Sequence, residues 1–413
     1  MGSTIIEKII ATHADSGTVK PGDIVWLGLD VRTARDFGGA NVVKRFNKEY
    51  PGQKVDDPSK TFFTFDCNVP ANTIGYADNQ QTCRIFAREQ GIRVYDVDCG
   101  IGSHVAIEEG LAYPGITFVG TDSHLNILGA VGAFGQGMGD ADIAYGFRHG
   151  RTWFEVPASM QITFKGIPRS TVSSKDITLK VLREIGSSGA LGRSIEYYGE
   201  VIDKMKLHSR ITLASMATEM GAVIAMIPPN EDILNYCRHA AGREDIEGIY
   251  ADDDAEYTEE LEIDLAYLKL QIACPPSPED VVDVADVAGT KIDSVFIGSC
   301  TGGRFEDFVT AAAILKGKKV ADGVMLRLQP ATRYVYGQML KADLMSVFYE
   351  SGGIVINPGC GGCAQGQVGM TGKGEVQLST SNRNFPGKQG AGDTYLRSAY
   401  VAAKSAIAGE IVE

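Results

Sequence analysis

Apolar residues in segment 4–14 (Thr-Ile-Ile-Glu-Lys-Ile-Ile-Ala-Thr-His-Ala) fall at three- and four-residue spacing, which predicts an amphipathic helix. The run Asp23–Asp30 that follows reads as a buried strand. Short apolar runs and amphipathic stretches then alternate. Strands are predicted at Thr61–Asp66, Arg93–Val97, Thr117–Gly120, Gln161–Phe164, Ser294–Ile297, Gly353–Asn357 and Glu375–Leu378. Helices are predicted over Gln80–Gln90, Ser174–Gly186, Ser209–Met220 and Phe305–Leu315. Such alternation predicts an α/β fold with largely parallel sheets.

A change of character at Glu155-Val-Pro-Ala-Ser and the proline-rich stop Cys274-Pro-Pro-Ser-Pro mark two boundaries, giving three expected domains over 1–156, 157–275 and 276–413. The acidic run from Ala251 to Glu260 lacks the glycine and ligand spacing of a calcium loop and is expected to be a solvated loop. The glycine-rich stretch 129–139 never completes the G-x-G-x-x-G pattern, so it is not read as a dinucleotide site.

Length and composition agree with this division. A chain of 413 residues with 44% apolar content has material for two or three cores and no tendency to disorder. The net charge of −13 disfavours nucleic acid and anionic membrane surfaces and directs attention to small-molecule chemistry. The first twenty residues lack a basic start ahead of a long apolar core, and no segment approaches the ~20 apolar residues of a membrane helix, so a cytoplasmic location is expected. Eight cysteines are few for this length, and they read as free thiols or metal ligands rather than a disulfide framework.

Three clusters carry chemistry. Cys300 lies in Gly-Ser-Cys-Thr-Gly-Gly-Arg (298–304), and Cys360 and Cys363 lie in Asn-Pro-Gly-Cys-Gly-Gly-Cys (357–363), each group following an apolar strand. Parallel strands would bring these thiols to one sheet edge, where three cysteines can hold an iron–sulfur cube and leave one iron open as a Lewis acid. A zinc half-site, a redox pair and inert buried thiols are the alternatives for the Cys360/Cys363 spacing. The second cluster is His104 with Gly120-Thr-Asp-Ser-His124, in which Asp122 is expected to hold an imidazole tautomer and tune a proton donor. The third is Ser379–Lys388, where Arg383 and Lys388 suit a carboxylate-bearing substrate.

Taken together, Thr-Phe-Asp (64–66), Gly-Ile-Gly-Ser-His (100–104), Gly-Thr-Asp-Ser-His (120–124), Gly-Ser-Cys-Thr (298–301), the cysteine loop 357–363 and Thr-Ser-Asn-Arg-Asn-Phe (380–385) give the chain a nearly end-to-end resemblance to the aconitase superfamily. Within it the chain resembles the large subunits of the isopropylmalate dehydratase and homoaconitase group. The resemblance implies three α/β/α domains around a central 4Fe–4S cluster on Cys300, Cys360 and Cys363, without the swivelling domain of the longer members. It implies a hydro-lyase acting on a 2-hydroxy di- or tricarboxylate such as 3-isopropylmalate or a methylated malate. A separate small subunit, in a heterodimer or heterotetramer, is then expected to complete the site and supply the base. His104, Asp122, His124, Glu219 and Asp66 match catalytic positions; Arg383, Lys388, Ser123 and, more loosely, Asn41 match substrate-binding ones. Asn382, Cys67 and Ser215 match neighbours of the cluster.

The chain departs from the group's pattern at five places: Cys67 stands for a histidine, Ser215 and Gly302 for asparagines, Lys388 for an arginine and Leu125 for a threonine. All five fall around the expected site, which points to a shifted substrate. Cys67 is either a fourth thiolate within reach of the cluster or a small residue filling the space of an imidazole. The rival readings are cluster chemistry other than hydration and an iron- or oxygen-responsive regulator; the acidic charge opposes RNA binding by the latter.

Overall fold

The computed structural model describes residues 2–363 and 367–413. In chain order the strands are β1 (Ile24–Gly28), β2 (Val31–Arg35), β3 (Thr61–Thr64), β4 (Arg93–Tyr95), β5 (Thr117–Gly120), β6 (Phe134–Gly137), β7 (Arg151–Glu155), β8 (Ser159–Lys165), β9 (Ser194–Tyr198), β10 (Ile224–Met226), β11 (Glu259–Asp264), β12 (Gln271–Ala273), β13 (Val281–Asp283), β14 (Ser294–Ile297), β15 (Met325–Leu328), β16 (Ile354–Val355), β17 (Val376–Ser379) and β18 (Asp393–Leu396). They form three twisted sheets and one ribbon. The first sheet, ordered β4-β3-β2-β5-β6, is parallel throughout, as is the second, β10-β9-β8-β11. The third runs β13-β12-β18-β17-β14-β15-β16, parallel from β18 to β16 and antiparallel at its β13-β12-β18 edge.

Parallel strands are buried on both faces and need helical crossovers, which accounts for runs such as Thr61-Phe-Phe-Thr and Ser294-Val-Phe-Ile, buried at every position. Thr4 and Glu7 form a capping box on the opening helix Ile5–His13, and Ser173 and Asp176 form another on Ser174–Ile185. The run Asp23–Asp30 differs from expectation. Its strand β1 pairs antiparallel with β7 in a two-stranded ribbon outside the main sheets, leaving Ile24 72% and Trp26 43% exposed. The helix expected over Gln80–Gln90 begins at Ile74, where the Thr73 side chain caps it by accepting the Tyr76 N–H. The helix expected over Ser209–Met220 runs Leu207–Ser215 and tightens into a 3-10 turn at Met216–Met220.

The glycine-rich stretch has a packing reason. A Cβ on Gly129 would meet the carbonyl oxygen of Ala225 at 1.9 Å, so the absent side chain lets the first and second sheets approach at this point. Among the described residues no helix is long and apolar enough to cross a membrane.

Candidate functional site

The polar residues of interest leave the carboxyl ends of parallel strands, where α/β sheets hold their sites. Arg35 ends β2 and Asp36 follows it, Asp66 and Cys67 follow β3, and Thr121–His124 follow β5. From the third sheet, Ser299 and Cys300 follow β14, Cys360 lies on the loop after β16, and Asn382 and Arg383 follow β17. Ser299 adopts the left-handed φ of +70° while fully buried, a conformation that non-glycine residues hold only where the surroundings impose it. This turn sets Cys300 inward at the start of a short helical turn, Ser299–Gly302.

Cys300 and Cys360 are both 5% exposed. Each sulfur meets a donor: Ser215 Oγ lies 3.4 Å from Cys300 Sγ, and Arg35 Nη2 lies 2.8 Å from Cys360 Sγ. The Cys300 thiol in turn donates to Asn382 Oδ1 at 3.0 Å, and Asn382 Nδ2 donates to Ser215 Oγ at 2.6 Å. Burial pushes the Cys300 thiol up to about 12. The Cys67 thiol is also buried, hydrogen-bonded to Cys360 and 3.4 Å from Asp66 Oδ1, and burial again raises its pKa. Cys363 closes the turn Gly361–Cys363, and its side chain lies outside the described residues, so the third expected ligand is placed only through its backbone.

Asp122 does not hold the imidazole of His124. Its Oδ1 accepts the backbone N–H of His124 at 3.0 Å and Arg35 Nη1 at 2.8 Å, which turns the carboxylate away from the ring. The ring's carboxylate is Glu219, whose Oε1 lies 3.0 Å from His124 Nε2 and also accepts Arg383 Nε at 2.6 Å. Burial opposes the charge on Glu219, yet His124 and Arg383 outweigh it and hold the carboxyl below its ordinary range. Glu219 Oε2 is buried with no hydrogen-bond partner among the described residues. Arg383 Nη2 reaches Ser123 Oγ at 3.4 Å.

His104 is buried within the helix Gly102–Glu108, with Nε2 3.1 Å from the Cys300 carbonyl. Burial and the nearby Arg304 lower its pKa to about 3, so the ring is neutral and donates to that carbonyl. Asp66 accepts the Gly102 backbone N–H at 2.9 Å through Oδ2 and Arg35 through Oδ1. Burial drives its pKa up, and the Arg35 charge offsets only part of the rise. Two expected residues lie at the surface: Lys388 is exposed, and Asn41 is exposed in a separate groove beside Lys44, Arg45, Lys48 and Asp140.

Sequence reasoning missed three residues. Arg35 ties together Asp66, Asp122 and Cys360; burial opposes its charge, but the two carboxylates prevail and its pKa is raised. Asp36 accepts the backbone N–H groups of Asp66, Cys67 and Asn68 at 3.3, 3.1 and 3.2 Å, and so fixes the loop carrying Asp66 and Cys67. Lys175 is buried and donates to the carbonyl of Ser381 at 2.7 Å, one residue before Asn382; burial lowers its pKa to about 8. β2 reads Val-Arg-Thr-Ala-Arg, too polar for Arg35 and Asp36 to stand out in sequence, and Lys175 reads as an ordinary first-turn lysine, so none of the three gives a local signal.

The donor set fits an iron–sulfur cluster. The sulfurs of Cys300 and Cys360 are buried and each has a polar donor, Ser215 Oγ and Arg35 Nη2, the hydrogen-bonded setting that thiolate ligands of a cluster take. An aconitase family model (aconitate hydratase) matches residues 7–290 and 285–409. The chain is similar to the "3-isopropylmalate dehydratase large subunit 1" of Methanopyrus kandleri, at 43% identity over all of this chain and 99% of that one. It is similar to the "probable methanogen homoaconitase large subunit" of Methanothermobacter thermautotrophicus, at 40% identity over 98% of this chain and 96% of that one. In fold it is similar to the aconitase X of Thermococcus kodakaraensis, with a TM-score of 0.52 at 13% identity, covering 87% of this chain and 84% of the other. With a match that spans nearly the whole chain, this protein belongs to the aconitase family.

Proposed function

We propose that this chain is the large subunit of an iron–sulfur hydro-lyase that removes and re-adds water on a 2-hydroxy di- or tricarboxylate, a branched or methylated malate being the best match to its departures. The observation that carries the reading is the hydrogen-bond chain from the buried Cys360 sulfur through Arg35 and Asp122 to the His124 N–H, with Cys300 bonded to Asn382 beside Arg383 and His124 and Arg383 both bonded to Glu219. Cys300, Cys360 and Cys363 would hold a 4Fe–4S cluster, which supplies Lewis acidity toward a substrate hydroxyl.

The protein's own residues then have distinct tasks. Arg383, held at Nε by Glu219 and at Nη2 near Ser123 Oγ, is the cation placed to meet a substrate carboxylate. His124 donates Nε2–H to Glu219 in its neutral tautomer, which makes Nδ1 the nitrogen that takes up or returns a proton. His104, buried at the start of its helix, positions the Cys300 turn through its hydrogen bond to the carbonyl. Asn382 and Ser215 orient the Cys300 sulfur. Lys388 provides a second, more solvated cation at the end of the Arg383 loop.

A small subunit, as the relatives' designation "large subunit" implies for them, would close the site and bring the base that takes the carbon-bound proton. The three-domain division at 156 and 275 belongs to the same proposal, the sheets spanning residues 31–137, 159–264 and 271–396. Anaerobic reconstitution of the chain with its cognate small subunit, followed by a screen of substituted malates for absorbance of the unsaturated product, tests the reading. Turnover that appears only with both subunits is expected; no turnover of any malate-like substrate by the iron-loaded pair would overturn it.

A further inference from the structure

We infer that Arg35 is a positioning residue for the cluster: it donates a hydrogen bond to the sulfur of Cys360 and clamps the cysteine loop of the third sheet to the first. The inference rests on the proposed cluster ligation. Arg35 Nη2 lies 2.8 Å from Cys360 Sγ. The guanidinium is held in place on its other edges, by Asp66 Oδ1 at 2.9 Å from Nε and 2.6 Å from Nη2, and by Asp122 Oδ1 at 2.8 Å from Nη1. Each carboxylate is itself anchored by a backbone N–H, of Gly102 at 2.9 Å and of His124 at 3.0 Å. A second link runs alongside, the Cys360 N–H donating to the Asp66 carbonyl at 2.9 Å. The planar fork of arginine therefore meets three acceptors at once, which a lysine ammonium cannot reproduce in the same plane.

Hydrogen bonds to cluster sulfurs and the local charge set the reduction potential of an iron–sulfur centre. Removing a donor and a positive charge beside Cys360 stabilises the oxidised cluster and lowers the potential. The test uses the reconstituted chain and the variants Arg35→Lys and Arg35→Met. A redox titration followed by EPR is expected to give a lower midpoint potential in both, with the larger drop in Arg35→Met. In protein labelled with 15N-arginine, pulsed EPR of the reduced cluster is expected to show a nitrogen coupling that disappears in Arg35→Lys. That comparison keeps the inference testable if Arg35→Met does not fold. Variants that retain the wild-type potential, with a nitrogen coupling unchanged in Arg35→Lys, would overturn the inference alone. Wild-type protein that takes up no iron or sulfide would overturn the proposed ligation and this inference with it.

Discussion

Replacing Glu219 with glutamine tests how the polar half of the site is held. Glutamine keeps the shape and one acceptor oxygen but removes the charge that faces His124 at 3.0 Å and Arg383 at 2.6 Å. Losing one partner of a buried ion pair costs ~3–5 kcal/mol, of which a neutral hydrogen bond restores about 1, so a loss of roughly 2–4 kcal/mol is expected. For domains of this size that is a fall in melting temperature of about 4–16 °C at neutral pH. The sign with pH follows from the depressed carboxyl. Glu219 is held below its ordinary value of 4.5, so its stabilisation is fully present above that pH and fades as pH falls through the lowered folded value. The gap between wild type and Glu219→Gln in scanning calorimetry is therefore expected to be constant from pH 7 to about 5 and to shrink in more acid solution. A variant that melts with the wild type at pH 7, or a gap that widens as acid is added, would refute the ion-pair account.

Other perturbations follow from the same geometry. Gly302→Ala places a Cβ 2.3 Å from Thr380 Cβ and is expected to destabilise the fold by about 1–3 kcal/mol, measured by denaturant melts. Lys175→Met removes a cation whose folded pKa of about 8 lies below its ordinary 10.5. Between those values the unfolded chain binds the proton more often, so wild-type stability is expected to rise with pH across that window and the rise to be absent in the variant. Cys67→Ser removes a thiol hydrogen-bonded to Cys360; altered Mössbauer parameters of the cluster are expected if Cys67 touches iron, and an unchanged spectrum assigns it to space filling.

Much of the fold was legible because parallel strands are buried on both faces and announce themselves as unbroken apolar runs, as at Thr61–Thr64 and Ser294–Ile297. The ribbon strand Ile24–Gly28 defeated the same reasoning: Ile24 and Trp26 look like core residues in sequence and are exposed in the structure. The cysteines and the Asp-Ser-His segment were legible as local clusters. Their partners were not, because pairings such as Glu219 with His124 and Arg35 with Cys360 join residues 95 and 325 positions apart, and no local spacing encodes them. Asp122 illustrates the hazard of nearness in sequence, since its bond to the backbone N–H of His124 is what keeps it from the ring.

The most direct test of the account is iron and sulfide loading of the anaerobically reconstituted chain, read by Mössbauer spectroscopy in the wild type and in Cys300→Ser, Cys360→Ser and Cys363→Ser. The account predicts a 4Fe–4S spectrum in which one iron responds to added hydroxy acid, and loss of that cluster in each variant. A wild type that binds no iron and sulfide, or a variant that keeps the full cluster unchanged, would contradict it.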